Sequence, residues 1–484
     1  MIDPWKLLFT GGLISLILGS LITIVVIRQL VPRLQSQRSR SLRDHHQELI
    51  SRLGGIGIAW AFLTTVLLLF LLPVDERGEA LRALPPSRFW GFTLGAMLAW
   101  ALGFADDLWD LPARWKLLGQ LGLGGLAVAS GFELSAIQGP FFQSMSLGGW
   151  GIFLTVLWVV GIINAINLID GLDGLASGVA LLALGALVWI LVAEANVPLL
   201  LLTLIVLGAT FSFWTFNRPT ASIFMGDSGA YFLGYSLAIL TLWGTEISGK
   251  QSTLPLLILA VPILDTGFAI FRRLLKGIPF YSADKDHIHH RLLAKGLSPL
   301  AAMGVMVGVS GGFGLLALFA YRRPDLQGFA YLGGLALAWM LLYFLEYDVI
   351  RTPVSSIRGQ SDHRRQRALM IALGQQMETF LEKDPEAGSV FRSIRYWGDL
   401  AGAARIEVRK AEQVLWTDGP SDQSHRTLLF QSDSWEVRWG LPEASWTLDS
   451  DVKGELLDQV SQALFDRLQQ LDAPKVLPLC QRPR

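Results

Sequence analysis

Cysteine is almost missing from this 484-residue chain; the single example, Cys480, lies near the C-terminus. One thiol excludes an intramolecular disulfide framework and equally excludes a cysteine-based zinc site. Charge is scarce as well. Lys, Arg, Asp and Glu make up only 17% of the residues, and 40 basic side chains offset 40 acidic ones to a formal net charge of zero. A chain with no basic excess gives no case for nucleic acid as a partner. What fills the sequence instead is apolar: 52% hydrophobic residues, with a mean hydropathy of +0.44. That composition excludes an ordinary soluble enzyme and fits an all-α polytopic membrane protein.

Crossing the hydrocarbon core takes roughly 20 apolar residues, and the backbone must satisfy its own hydrogen bonds there as a helix. Runs near that length fall at 7–30, 54–72, 89–105, 116–132, 149–166, 175–193, 198–214, 229–246, 254–271, 300–320 and 329–347, which predicts about eleven transmembrane helices. The first run is too long for a signal-peptide core and lacks a small-residue cleavage pattern. Arg28, Arg33, Arg38, Arg40, Arg43 and Arg52 follow it. It therefore reads as an uncleaved helix whose C-terminal end is cytoplasmic. Arg114, Lys116, Arg218, Arg272, Arg273, Lys276, Lys285, Arg291 and Lys295 fall in connections on that same side. The opposite connections carry fewer cations, so the predicted topology is N-out and C-in.

The composition turns polar after about Tyr347, dividing a membrane domain (1–347) from a tail (348–484) without a spanning run. A helix-like stretch at 363–383, alternating pieces at 404–416 and 427–440, and an amphipathic stretch at 452–471 predict a small α+β cytoplasmic domain. No catalytic motif occurs in it, and a regulatory or partner-binding role is the simplest reading.

Polar residues inside or at the ends of apolar helices are costly and mark function. Here they gather at the helix ends predicted to be cytoplasmic. The first cluster, in GFADDLWDLPARWKLLGQ, holds Asp106, Asp107 and Asp110. Spacings of three and four place them on one helical face. Crowded carboxylates need a cation or raised pKa values, and magnesium is a hard ion that accepts carboxylate oxygens together with substrate phosphates. Arg114 and Lys116 beyond them either hold a phosphate or anchor the helix at the interface. The second cluster is Asn164, Asn167, Asp170, Gly171, Asp173 and Gly174 in NAINLIDGLDGLASG. Its glycines permit close backbone approach to a ligand, and the helix that follows offers its N-terminus to an anion.

The third cluster, FNRPTASIFMGDSGAYFLG, carries Asn217, Phe224, Gly226, Asp227 and Gly229. Asp227 suits either an N-cap or a metal ligand. Phe224 suits either packing or stacking on a base. The fourth, DTGFAIFRRLLKGIPFYSADKDHIHHRLL, carries Asp265, Arg272, Arg273, Asp284, His287, His289 and His290. The H-x-H-H spacing lacks the i, i+4 pair of a helical zinc site. Cationic or hydrogen-bonding histidines near a diphosphate are the functional reading, and a basic interfacial loop is the plain one.

These clusters, in this order, resemble the polyprenyl-phosphate N-acetylhexosamine-1-phosphate transferases (glycosyltransferase family 4). The aspartate pair, NxxNxxDGxDG, FMGDxG and HIHHRL all match over roughly residues 40–300, and HIHHRL is similar to the undecaprenyl-phosphate GlcNAc-1-phosphate branch. The first loop, HHQELISRLGG, keeps His46, Arg52, Gly54 and Gly55 but has Leu49 and Ser51 where prolines are common in the family.

The resemblance implies that Asp106 and Asp107 engage the lipid phosphate or act as base. It implies further that Asn167, Asp170 and Asp173 bind the nucleotide-sugar, with Asn164, Lys116 and His46 also at the substrates. Phe224 then lies against the uracil, Asp227 holds magnesium (or manganese in its place), and His289 and His290 stand near the diphosphate. The implied partners are a UDP-sugar, undecaprenyl phosphate and membrane lipid, with a homodimer left open. The implied reaction yields undecaprenyl-diphospho-sugar and UMP at the cytoplasmic face of the inner membrane. Phospho-MurNAc-pentapeptide transfer is the alternative inside the family. A cation-coupled transporter and a membrane receptor are the alternatives outside it; transporters place their carboxylates near the bilayer midplane, in repeated halves.

Overall fold

The computed structural model describes residues 4–26, 28, 52–71, 76–139, 142–247, 253–275 and 287–345, together with four strands between 405 and 442. His46, Cys480 and the helices expected at 363–383 and 452–471 lie outside the described residues. The chain divides into two compact units, of which the larger holds residues 1–274 and 279–351.

Among its described residues the larger unit is built of helices, apart from a short hairpin of β1 (Ala136–Gly139) and β2 (Phe142–Ser146). In chain order its helices are α1 (Pro4–Val25), α2 (Gly54–Leu71), α3 (Glu76–Arg82), α4 (Pro86–Trp109), α5 (Ala113–Ala129), α6 (Trp150–Ile169), α7 (Leu175–Ala193) and α8 (Val197–Asn217). Then follow α9 (Gly226–Ile247), α10 (Leu254–Ile258), α11 (Ala260–Leu275), α12 (Ile288–Ala294), α13 (Pro299–Arg322) and α14 (Gln327–Phe344). Among the described residues seven helical segments are long and apolar enough to cross a membrane: α2, α4, α6, α7, α8, α13, and Pro324–Phe344, which includes α14.

Of the other four predicted runs, the first begins with α1, a 22-residue apolar helix. The remaining three are helical but depart from a plain span for local reasons. α5 has 17 residues and carries Arg114, Lys116 and Gln120. α9 is long enough but carries Asp227, Ser228, Tyr231, Tyr235, Ser236, Thr241 and Thr245. It affords those polar groups because it is buried from Ser228 to Thr245. The 254–271 run breaks at Leu259 into α10 and α11, and α11 ends on Arg272 and Arg273.

Lipid tails are as apolar as leucine, so helices in a bilayer associate by close packing and by interhelical hydrogen bonds. The contact of α1 with α8 uses both. The Ser15 hydroxyl donates to the Ile205 carbonyl at 2.7 Å, and a Cβ added to Gly208 would stand 2.2 Å from the Gly12 carbonyl oxygen. At one end of the bundle Arg88 forks onto Glu246 at 3.0 Å, joining the start of α4 to the end of α9. The other end, where α4, α6 and α8 finish and α2 and α9 begin, carries the polar clusters.

In the second unit, Arg405–Lys410, Gln413–Asp418, His425–Ser432 and Trp435–Pro442 (β3 to β6) form one antiparallel sheet in the order β4-β3-β6-β5. Each of the two strand-like pieces expected there is a pair of strands. The register sets Val408 opposite both Trp416 and Val437.

Candidate active site

The last turn of α4 supplies two aspartates with different surroundings. Asp106 is buried; its Oδ1 accepts the Leu111 N–H at 2.9 Å and its Oδ2 lies 2.5 Å from Lys116 Nζ. The Tyr231 hydroxyl donates to the same Oδ2 at 3.5 Å. Lys116 reaches back because Asp110 takes a left-handed conformation (φ 47°) that ends α4, and α5 starts just beyond Pro112. The same ammonium lies 3.7 Å from Asp227 Oδ2, so one lysine bridges carboxylates of α4 and α9.

Asp107 points instead at the start of α9. Its two oxygens accept the N–H groups of Asp227 and Ser228 at 2.9 and 3.0 Å. These are donors that no carbonyl inside the helix can satisfy, and an anion is favoured at that pole. The approach is close enough that a Cβ on Gly103 would meet the Asp227 carbonyl oxygen at 2.2 Å.

The loop before α9 is held from three sides. The N–H groups of Gly54 and Gly55 each donate at 2.9 Å, to the carbonyls of Phe224 and Met225. Asn217, buried at the end of α8, donates to the Ile223 carbonyl at 3.0 Å. Its Oδ1 accepts from the Gly174 N–H at 3.0 Å and the Ser177 hydroxyl at 3.1 Å. Asp173 Oδ2 accepts the Ala221 N–H at 3.1 Å, tying the double Asp-Gly turn to the same loop. These bonds border an open cavity of about 380 Å³ whose lining includes Arg52, Asn167, Asp170, Asp173, Phe224 and Asp227.

Asp170 closes α6, half-buried on the cavity wall. Burial, then the negative charges of Asp227, Asp107 and Asp173, push its carboxyl well above the usual carboxylate range, while Arg52 opposes them. Among the described residues no three acidic or histidine side chains stand close enough to cage a metal. Magnesium does not need such a cage, since it keeps several waters and takes one or two carboxylates plus substrate phosphates. Asp170 and Asp227, on one cavity wall, give two carboxyl groups of the right hardness beside space for an anion.

The histidine segment meets this site at Gly171. Asp265 of α11 accepts the Ile288 N–H at 2.8 Å and pairs with His287 Nδ1 at 3.0 Å, which fixes the start of α12. His289, only 1% exposed, has no hydrogen-bond partner at either ring nitrogen among the described residues. A Cβ on Gly171 would lie 2.2 Å from its Nε2, so that edge of the imidazole faces the Asp-Gly turn. Burial, then the neighbouring His290, lowers the His289 pKa to about 4. At neutral pH this imidazole is therefore neutral. His290 is exposed and lies against it with ring centroids 4.2 Å apart and the ring planes tilted by 42°.

The expected residues thus fall into groups. Asn167, Asp170, Asp173, Phe224 and Asp227 share the cavity wall. Asp106, Asp107 and Lys116 adjoin it through Asp227, and His289 adjoins it through Gly171. Asn164 does not line it: its Nδ2 donates to Gln120 Oε1 and to the Val160 carbonyl, both at 2.7 Å, joining α6 to α5. Two residues receive places that motif reading did not assign. Arg52 is on the cavity wall, for which its position two residues before the Gly-Gly was the available signal. Asp265 organises the histidines, and its position in an apolar helix ahead of them was the corresponding hint.

Residues 89–245, which hold all but the first-loop and histidine parts of this site, match the model of glycosyl transferase family 4. The chain is 36% identical over 286 residues to a "Probable undecaprenyl-phosphate N-acetylglucosaminyl 1-phosphate transferase" of Bacillus subtilis (strain 168), covering 58% of this chain and 76% of that protein. It is 32% identical over 299 residues to a "Decaprenyl-phosphate N-acetylglucosaminephosphotransferase" of Mycobacterium leprae (strain TN), covering 56% and 73%. With the "Undecaprenyl-phosphate alpha-N-acetylglucosaminyl 1-phosphate transferase" of Escherichia coli (strain K12) it shares 26% identity over 336 residues, covering 65% and 85%. On this likeness and on the residues gathered at one end of the bundle, the chain belongs to glycosyl transferase family 4.

Proposed function

We propose that the protein transfers N-acetylglucosamine-1-phosphate from UDP-N-acetylglucosamine to undecaprenyl phosphate, releasing UMP. A phosphate oxygen of the lipid attacks the sugar-linked phosphorus, a new phosphoanhydride forms, and the bond to UMP breaks. One anhydride replaces another, so the task is positioning and charge neutralisation. The observation that carries this reading is the convergence of Asp106, Lys116, Asp170 and Asp227, from four separate helix ends, beside one cavity.

Asp227 and Asp170 are the residues that would hold magnesium; when bound, the ion neutralises phosphate charge and stabilises the departing UMP. Asp106 and Asp107 act by placement. One has its oxygens on Lys116, Leu111 and Tyr231, and the other on the start of α9. A phosphate monoester is largely ionised near neutral pH, so the acceptor needs little help from a base. Lys116, held between two carboxylates, is the cation nearest Asp227 for the incoming lipid phosphate. His289 offers a neutral ring nitrogen at the Asp-Gly turn.

The same reading sets the site at the cytoplasmic face of the inner membrane, with eleven passes, N-out and C-in. Its support is the sorting of cations: Arg52, Arg114, Lys116, Arg218, Arg272 and Arg273 all belong to the end that carries the site. Residues 348–484 then form a separate cytoplasmic domain. The test is an assay of purified protein with undecaprenyl phosphate, magnesium and a panel of UDP-sugars. UDP-N-acetylglucosamine should be the preferred donor, and labelled UMP should exchange into it when lipid product is present. No transfer from any UDP-sugar would refute the proposal.

A further inference from the structure

Arg52 stands on the cavity wall with no assigned task. Its backbone is pinned from two directions. Two residues on, the N-terminus of α2 is bonded to the Phe224 and Met225 carbonyls, and a Cβ on Gly226 would stand 2.2 Å from the Arg52 carbonyl oxygen. Its side chain is exposed, and its guanidinium makes no ion pair or hydrogen bond with any described residue. A fixed base under a guanidinium that no described residue pairs with is how a binding residue is built.

The charge around it points the same way. The acidic side chains on the wall are Asp170, Asp173 and Asp227, and Arg52 is the one cation among the described lining residues. Lys116, the next cation, lies on Asp106 and Asp227. An anion entering this cavity would meet three acidic groups. A divalent ion on Asp227 offsets part of that repulsion, and a guanidinium offers the planar pair of donors that matches two phosphate oxygens.

We infer that Arg52 binds the diphosphate of the nucleotide-sugar, a role that rests on the transferase reading above. Its place on the wall that Phe224, Asp170 and Asp173 share, and that Asp106 and Lys116 do not line, assigns it to the water-soluble donor and not to the lipid phosphate.

The experiment uses the full chain in detergent at fixed magnesium, comparing wild type with Arg52→Ala and Arg52→Lys. Loss of the charge-assisted bonds should raise KM for UDP-N-acetylglucosamine about 10- to 100-fold in Arg52→Ala. KM for undecaprenyl phosphate should stay within about twofold, and Arg52→Lys should recover part of the donor affinity. Calorimetric binding of UDP to the same proteins should weaken in parallel, by about tenfold or more in Arg52→Ala. An unchanged donor KM, or an equal rise in the lipid KM, overturns the inference. Absence of wild-type turnover would strike the transferase reading, and UDP affinity would then decide Arg52 by itself: unaltered affinity in both variants rejects it. If Arg52→Ala fails to fold, Arg52→Lys carries both measurements.

Discussion

Asp107 closes the N-terminus of α9, taking the backbone N–H groups of Asp227 and Ser228 at 2.9 and 3.0 Å. The side chain proposed to hold the metal is thus placed by a carboxylate from α4. The two aspartates should fail differently when changed. Asp107→Asn keeps one acceptor but turns an amide toward a backbone N–H and removes the charge at the helix pole. It should cost about 1–2 kcal/mol of stability and lower turnover together. Asp227→Asn should leave the melting midpoint near wild type while turnover falls by about a hundredfold or more. Thermal unfolding in detergent beside a steady-state assay separates them; equal stability of the two variants would contradict the capping role.

Asp170 carries a cost that its function explains. Burial and its acidic neighbours raise its pKa, so the fold favours the protonated form. A raised carboxylate pKa means that stability falls as pH rises through the folded value. Asp170→Asn, a neutral isostere, should therefore raise the melting midpoint in chelator at pH 8. The same variant should lose most of the stabilisation that magnesium gives wild type, along with its turnover. A lower midpoint in chelator would show that the carboxylate is held by stabilising partners instead.

Much of this site is readable from the sequence because its chemistry stands out against an apolar background. Asp106, Asp170, Asp227 and His289 are conspicuous wherever leucine and valine surround them, and positive-inside sorting of their neighbours suggests one shared end. The partition of roles is not readable. Whether an aspartate of the Asp106–Asp107 pair meets solvent, a lysine or a helix pole depends on α9, more than a hundred residues away. Asn164 has the spacing of a ligand-binding residue, yet the Gln120 amide on α5 takes it, a pairing that neither helix announces alone. α9 and the broken α10–α11 segment also mislead a length-and-hydropathy count. Tertiary burial lets α9 carry polar groups, and the break at Leu259 is local backbone geometry.

The buried imidazole of His289 gives the protein an acid-side sensitivity. Its pKa falls from 6.5 to about 4 on folding, because burial and His290 both disfavour the cation. A depressed pKa contributes stability that is fully present above pH 6.5 and is lost as pH drops toward 4. The gap corresponds to roughly 3 kcal/mol at most. Melting midpoints measured from pH 7 to pH 4.5 should fall more steeply for wild type than for His289→Gln. Parallel curves would show that this ring does not titrate as its burial implies.

Asp265 makes the clearest case of a residue acting through others. Its oxygens hold the Ile288 N–H at 2.8 Å and His287 Nδ1 at 3.0 Å, and the rings of His287 and His289 lie nearly parallel with centroids 5.8 Å apart. Asp265→Leu leaves a buried backbone donor and a buried ring nitrogen unpartnered, at about 1–3 kcal/mol each. Asp265→Asn retains an acceptor for Ile288 and can donate its amide to His287 once the ring switches tautomer. Stability should therefore rank wild type, Asn, Leu, whereas turnover should fall in both variants because His289 no longer meets Gly171 at the same distance. The decisive measurement is turnover of the Asn variant at a temperature where it is fully folded. Wild-type activity there would mean that the imidazole stack needs no anchoring by this carboxylate.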